Sequence, residues 1–150
     1  MEQLKILLTT DPEIPVPPEH YGGAERLASD LIDEYTALGH QIFLIANEKS
    51  TQLNAVQRFA WPSNNSRGWK NISKNALYMR KVYYEIKPDV LHCFSRILYQ
   101  YPLFFSNAKF VKRYGRFISP RATGLAKTIF GKRIQFIAAA GHMLNQIQNK

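Results

Sequence analysis

Two hydrophobic periods alternate along the chain. Leu4 to Thr9 (LKILLT) is a short apolar run ending in polar residues, the pattern of a strand buried on both faces. The next segment, Thr10 to Tyr21, carries Pro12, Pro15, Pro17 and Pro18, which exclude helix and stiffen a long loop that reads as projecting over the sheet edge. After Gly22-Gly23, the residues Ala24, Leu27, Ala28, Leu31, Ile32, Tyr35 and Leu38 recur at spacings of three and four. They form one helical stripe, with Glu25, Arg26, Asp30, Asp33 and Glu34 on the solvent side. Gly39 stands at the C-terminal cap, and Gln41 to Ala46 (QIFLIA) is a second buried strand.

The alternation continues. Val56 to Trp61 is a weaker strand and residues 62–68 are a loop. Ile72, Ala76, Met79, Tyr83 and Ile86 predict a helix over about Lys70 to Ile86, stopped by Pro88. Asp89 to Phe94 and Ala108 to Lys112 read as strands, with a Pro102-containing helix from Ile97 to Phe105 between them. Ser119 and Pro120 open a helix to about Phe130, ended by Gly131. Arg133 to Ala139 is the last strand, and His142 to Gln148 begins another helix. Strands alternating with helices imply an α/β fold, a Rossmann-like parallel sheet with helices on both faces and right-handed crossovers. Ligands in such sheets bind outside the carboxyl ends of the strands.

Composition bounds the picture. The 150 residues suit one domain with one core, and 45% apolar with 21% charged residues argues against disorder. No apolar run approaches the roughly 20 residues of a membrane span, and the first residues do not resemble a secretory leader, so the expected location is cytoplasmic. The single Cys93 excludes an internal disulfide framework and a cysteine-rich zinc site. Charge is polarised. Residues 1–48 hold nine acids and two bases, a balance of −7; the remainder holds eighteen bases against Glu85 and Asp89, a balance of +16. A basic half of this kind draws phosphates, anionic lipid or nucleic acid, or serves only solubility.

The glycine pair is the strongest chemical signal. Two residues without side chains at a helix start let a ligand approach the backbone, where unpaired amides and the helix dipole favour an anion. The same pair also serves a tight entry turn, and both readings stand on sequence alone. The nicotinamide fingerprint and the Walker A pattern are both absent.

Lys5 to Ala46 contains Pro17-Pro18-Glu19-His20-Tyr21-Gly22-Gly23-Ala24-Glu25-Arg26, a helix, Leu38-Gly39-His40 and a strand. This pattern resembles the N-terminal half of family 4 glycosyltransferases. Pro88 to Ser95 (PDVLHCFS) resembles that family's P-D-V-V-H-x-H strand, and Phe117 to Met143 resembles the helix and strand before its hinge. The resemblance implies residues 1–150 as the acceptor-side Rossmann-like domain of a retaining GT-B enzyme, the C-terminal donor-binding domain being absent from this chain. It implies transfer of a hexosyl group from a nucleotide-sugar to a sugar or lipid-linked acceptor, no cofactor or metal beyond the nucleotide-sugar substrate, and inactivity without the second half. Three positions depart from the family: Phe94 replaces its second strand histidine, no histidine follows the next strand, and Gly141 stands where a serine is common.

Residue roles follow from both lines. The resemblance implies that Tyr21, Gly22 and Gly23 form the loop approaching the donor's phosphates. His20, His92, Ser95, Arg96, Arg116 and Arg121 are acceptor or cleft candidates, with no catalytic residue assigned. His92 reads equally as a core histidine, Cys93 as a core hydrophobe, and each arginine as a phosphate clamp or a solvated side chain. Lys112, Arg113, Arg116, Lys127, Lys132 and Arg133, with Tyr99, Tyr101, Phe104 and Phe110, are candidates for a peripheral membrane surface at the inner face. Two other functions compete: a sugar- or phosphate-binding remnant without catalysis, and a basic nucleic-acid-binding protein, which lacks any reading motif.

Overall fold

The computed structural model describes residues 2–51, 54, 57–115 and 119–138. The elements run β1 (Lys5–Thr9), α1 (Gly23–Ala37), β2 (Gln41–Ala46), β3 (Gln57–Ala60), α2 (Trp69–Ile86), β4 (Val90–Cys93), β5 (Phe110–Tyr114), α3 (Pro120–Phe130) and β6 (Ile134–Ala138). Two 3-10 segments, Ile97–Leu103 and Gly131–Arg133, complete them. The six strands form one sheet in the order β3-β2-β1-β4-β5-β6, with every neighbouring pair parallel. This is the Rossmann order, and its switch point lies between β1 and β4.

The apolar side chains sort to the two faces of the sheet. Ile6, Leu8, Ile42 and Leu44 pack under Ala28 and Ile32 of α1. Leu7, Ile45, Leu91 and Phe110 pack on the other face beneath Met79 and Val82 of α2, Tyr99 and Leu103 of the first 3-10 segment, and Ala126 and Phe130 of α3. Each fully buried Leu or Ile stabilises the fold by about 1.5–3 kcal/mol. Ser119 caps α3, its hydroxyl accepting from the Ala122 amide, and Pro120 occupies the first turn. Lys87 closes α2 in the left-handed region before Pro88.

Several expectations are corrected. Residues from Ile97 to Leu103 form a 3-10 segment and not an α-helix; Pro102 inside it removes a donor amide. The fifth strand is Phe110–Tyr114, two residues later than its apolar run suggests. Ser106 Oγ accepts from the Ala108 amide and holds that residue in the preceding turn, while Tyr114 is anchored by a 3.0 Å bond between its hydroxyl and Thr123 Oγ1. On α1, Glu25 is buried (6% exposed) and Leu38 lies outside the core (52% exposed), the reverse of the stripe reading at those two positions.

The proline-rich loop does not project. It folds back on the ends of β2 and β3: Pro12 O accepts from Asn47 Nδ2, Thr10 O accepts from Trp61 Nε1 at 2.8 Å, and the Val16 amide donates to Ser50 Oγ. Glu13 Oε1 accepts from the Ser66 amide. Val56, Ala139 and the helix expected over 142–148 lie outside the described residues. Among the described residues no helix is long and apolar enough to cross a membrane.

Candidate functional site

A cavity of about 940 Å³ opens at the carboxyl edge of the sheet. Its volume suits a small-molecule ligand, and its position beside the β1–β4 switch is where such sheets bind. One wall is the start of α1, with Tyr21, Gly22, Gly23 and Ala24; the other is the ends of β4 and β5, with Phe94, Arg96, Lys112 and Arg113.

The two glycines have different roles. Gly22 is the N-cap residue at φ 154°, and a Cβ there would lie 2.8 Å from Pro18 Cβ and 3.0 Å from Ile14 Cγ2. It makes the tight entry turn. At Gly23 a Cβ would meet nothing within 4 Å, and this residue lines the cavity. No side chain caps the helix from the N-cap position, and the first intrahelical bond is Arg26 N to Gly22 O at 2.9 Å. The Glu25 carboxylate takes its own amide. Among the described residues the amides of Gly23 and Ala24 have no protein acceptor. They are the donors an anion needs at a helix start.

Charges of both signs surround the cavity. Lys112 is buried, and its Nζ donates to the carbonyls of Ser95 (2.6 Å), Arg113 (3.0 Å), Cys93 (3.3 Å) and Phe94 (3.3 Å). Burial pushes its ammonium down to about 8, while the Asp11 charge works the other way. Asp11 Oδ1 accepts from the Arg96 amide at 3.1 Å. Burial raises the Asp11 carboxyl above its ordinary value, against the pull of Lys112. Glu25 is raised too, by burial and then by the charges of Asp11 and Glu13. The Arg113 guanidinium lies 5.8 Å from the Phe94 ring centroid.

The candidates from sequence separate. Tyr21, Gly22, Gly23, Ser95 and Arg96 line the cavity. The Ser95 hydroxyl is buried and bonded to Thr9 Oγ1 at 2.8 Å, so it is engaged within the protein. His92 is buried outside the lining, its Nδ1 3.1 Å from Tyr35 Oη and its ring stacked on Phe94 at 4.9 Å. It is a buried residue, and its Nε2 has no hydrogen-bond partner. His20 and Arg121 are exposed and are not among the lining residues, and Arg116 lies outside the described residues. Of the basic and aromatic surface, Tyr99, Phe110 and Lys112 are buried and drop out. Cys93 is buried in the core, its thiol pushed up to about 11 by burial.

Asp11 and Arg113 were not singled out for the cleft. A usable signal exists for each: Asp11 lies two residues past the carboxyl end of β1, and Arg113 is the penultimate residue of β5.

The fold is similar to that of MurG from Acinetobacter baumannii, with a TM-score of 0.63 over 91% of this chain and 42% of that one, at 8% identity. It is also similar to AviGT4, described as a glycosyltransferase involved in avilamycin A biosynthesis, with a TM-score of 0.51 over 78% of this chain and 34% of that one, at 20% identity. The chain thus spans less than half the length of either. No family model and no curated protein sequence matches it. The class so defined is a Rossmann-like α/β chain with a GT-B glycosyltransferase-like fold.

Proposed function

We propose that the chain is the acceptor-side half of a retaining glycosyltransferase similar to family 4, handling a nucleotide-sugar donor and a sugar or lipid-linked acceptor. The observation that carries this reading is the start of α1, where the amides of Gly23 and Ala24 lack protein acceptors beside a cavity of about 940 Å³. A diphosphate is the part of such a donor that suits those amides and the helix dipole. Arg96 and Arg113 supply cations on the opposite wall, able to clamp phosphate oxygens in pairs. Asp11 offers a carboxylate oxygen to an acceptor hydroxyl. A second domain supplies the rest of the donor site, and this half does not turn over alone.

The test is a radiolabel transfer assay on the chain fused to a nucleotide-sugar-binding domain, run with the common donors. The expected result is transfer or donor hydrolysis that Gly23→Val abolishes. A folded fusion that does neither would overturn the enzymatic reading. One observation favours its alternative, binding of a sugar or phosphate without catalysis: neither His20 nor His92 lines the cavity. In that case the fusion binds donor and leaves it intact.

A further inference from the structure

Three carboxyl groups stand at the start of α1, beside the two amides that suit a negative ligand. Glu25 is the third residue of the helix and lines the cavity, yet it is only 6% exposed. Its side chain folds over the entry turn: a Cβ on Gly22 would lie 3.0 Å from Glu25 Oε2. Among the described residues its own amide is the one hydrogen-bond donor that reaches the carboxyl. The charges acting on it are those of Asp11 and Glu13, both negative and both from the loop that closes over the helix start. Asp11 lines the same cavity. On the opposite wall Lys112 and Arg96 act on Asp11, and Arg113 stands over the Phe94 ring. Among the described residues no cation is among the charges acting on Glu25 itself. His20 and Arg26 are exposed, and the Arg26 guanidinium is turned to the His20 carbonyl at 3.5 Å.

A buried carboxylate with one donor and two like charges beside it opposes an incoming anion. Successive helical residues rise about 1.5 Å, so a ligand on the amides of Gly23 and Ala24 sits within roughly 6 Å of the Glu25 carboxyl. At that separation two negative charges repel, and the state of lower energy carries a proton between them. Protonation also turns the carboxyl into a donor. That donor replaces the third amide of the turn, which Glu25 itself already occupies. We propose that Glu25 is a specificity-determining residue of this site, binding in its neutral form and donating its O–H to an oxygen of the bound anion. Each anion then enters with one proton drawn from solvent, and the site takes oxyanions with a free acceptor oxygen, such as phosphate diesters and sulfate. The inference rests on the reading of the α1 amides as an anion subsite and adds the proton to it. Burial, then Asp11 and Glu13, hold the carboxyl above its ordinary value against the pull of its own amide, which eases that protonation.

The test is titration of nitrogen-labelled protein with sulfate and with UDP-glucose, whose charges stay fixed between about pH 5 and 7.5. That range lies below the value of about 8 at which Lys112 loses its proton. The expected result is saturable shifts at the Gly23 and Ala24 amides, with a Kd that is level at low pH and then rises by up to roughly tenfold per pH unit. Calorimetry at the upper end of the range, in buffers of different ionisation enthalpy, should count about one proton taken up per ligand. Glu25→Gln keeps the shape and a donor, so its Kd should stay near the low-pH value throughout, with no proton uptake. Asp11→Asn and His20→Gln are expected to keep both the dependence and the uptake, with the profile moved to lower pH in Asp11→Asn. These two variants carry the assignment even where Glu25→Gln does not fold. Saturable binding with a flat profile and no proton uptake would overturn this inference alone and leave the anion subsite standing. So would a dependence that persists in Glu25→Gln, or one that disappears in Asp11→Asn or His20→Gln. Unmoved Gly23 and Ala24 amides at every pH, in the wild type and in Glu25→Gln, would overturn the subsite and this inference together.

Discussion

Thr9 Oγ1 and Ser95 Oγ meet at 2.8 Å across the crevice where the strand order reverses, both fully buried. The amides of Phe94 and Ser95 donate to Thr9 O at 2.8 and 3.1 Å, so the turn leaving β4 is fastened to the end of β1. The hydroxyl pair holds the turn that brings Ser95 to the cavity lining. Ser95→Ala is expected to destabilise the fold by about 1–3 kcal/mol, because Thr9 keeps a buried hydroxyl without its partner. Adding Thr9→Val should cost less than the sum of the single changes, since both remove one interaction. Urea denaturation of the four proteins checks this, and ligand affinity should change little.

His92 makes stability depend on pH. Burial, followed by the charges of Arg113 and Lys112, lowers its imidazole from 6.5 to about 4. Its Nε2 is buried with no partner, so a proton there has no acceptor. Between these two values the unfolded chain binds a proton that the folded chain refuses. Stability attributable to His92 is therefore full above pH 6.5 and falls as pH drops towards 4, by on the order of 3 kcal/mol. Chemical denaturation across this range should show the slope in the wild type and lose most of it in His92→Phe.

Lys112 ties four carbonyls at the ends of β4 and β5. Lys112→Met keeps the aliphatic stem and removes the ammonium, leaving those oxygens without their common donor. The expected cost is about 2–4 kcal/mol, with amide resonances of Ser95 and Arg96 shifted. Denaturation and a proton–nitrogen spectrum measure the two effects. A neutral substitution with unmoved resonances would show that the turn holds itself.

Gly22 and Gly23 should respond oppositely to alanine. At Gly22 the added carbon meets Pro18 and Ile14 in a left-handed backbone, so Gly22→Ala is expected to lose about 1–3 kcal/mol. At Gly23 the space is open and alanine is the better helix former, so Gly23→Ala should be neutral or slightly stabilising. Thermal unfolding of the two variants separates turn from helix start.

Most of the architecture was legible because buried parallel strands and amphipathic helices leave unmistakable periods. Gln41–Ala46 falls where its apolar run does, and Ser119-Pro120 marks the start of α3. Tertiary contacts decide the rest. Glu25 looks like a solvent-facing residue by period, yet the loop bearing Ile14 and Pro18 closes over the start of its helix. Lys112 reads as one of a basic run, but the parallel register sets it beside Cys93, under a turn full of carbonyls. The glycine pair marked one wall of the cavity. The opposite wall required knowing that β4 and β5 are neighbours, and no local pattern encodes that.

The central claim is that the first amides of α1 receive a phosphate-bearing ligand. Titration of nitrogen-labelled protein with pyrophosphate and a nucleoside diphosphate, followed by amide shifts, tests it most directly. The account expects saturable shifts at Gly23 and Ala24, with smaller ones at Arg96 and Arg113, all lost in a folded Gly23→Val variant. Amides of Gly23 and Ala24 that stay fixed while other basic regions respond, or that shift equally in Gly23→Val, would contradict it.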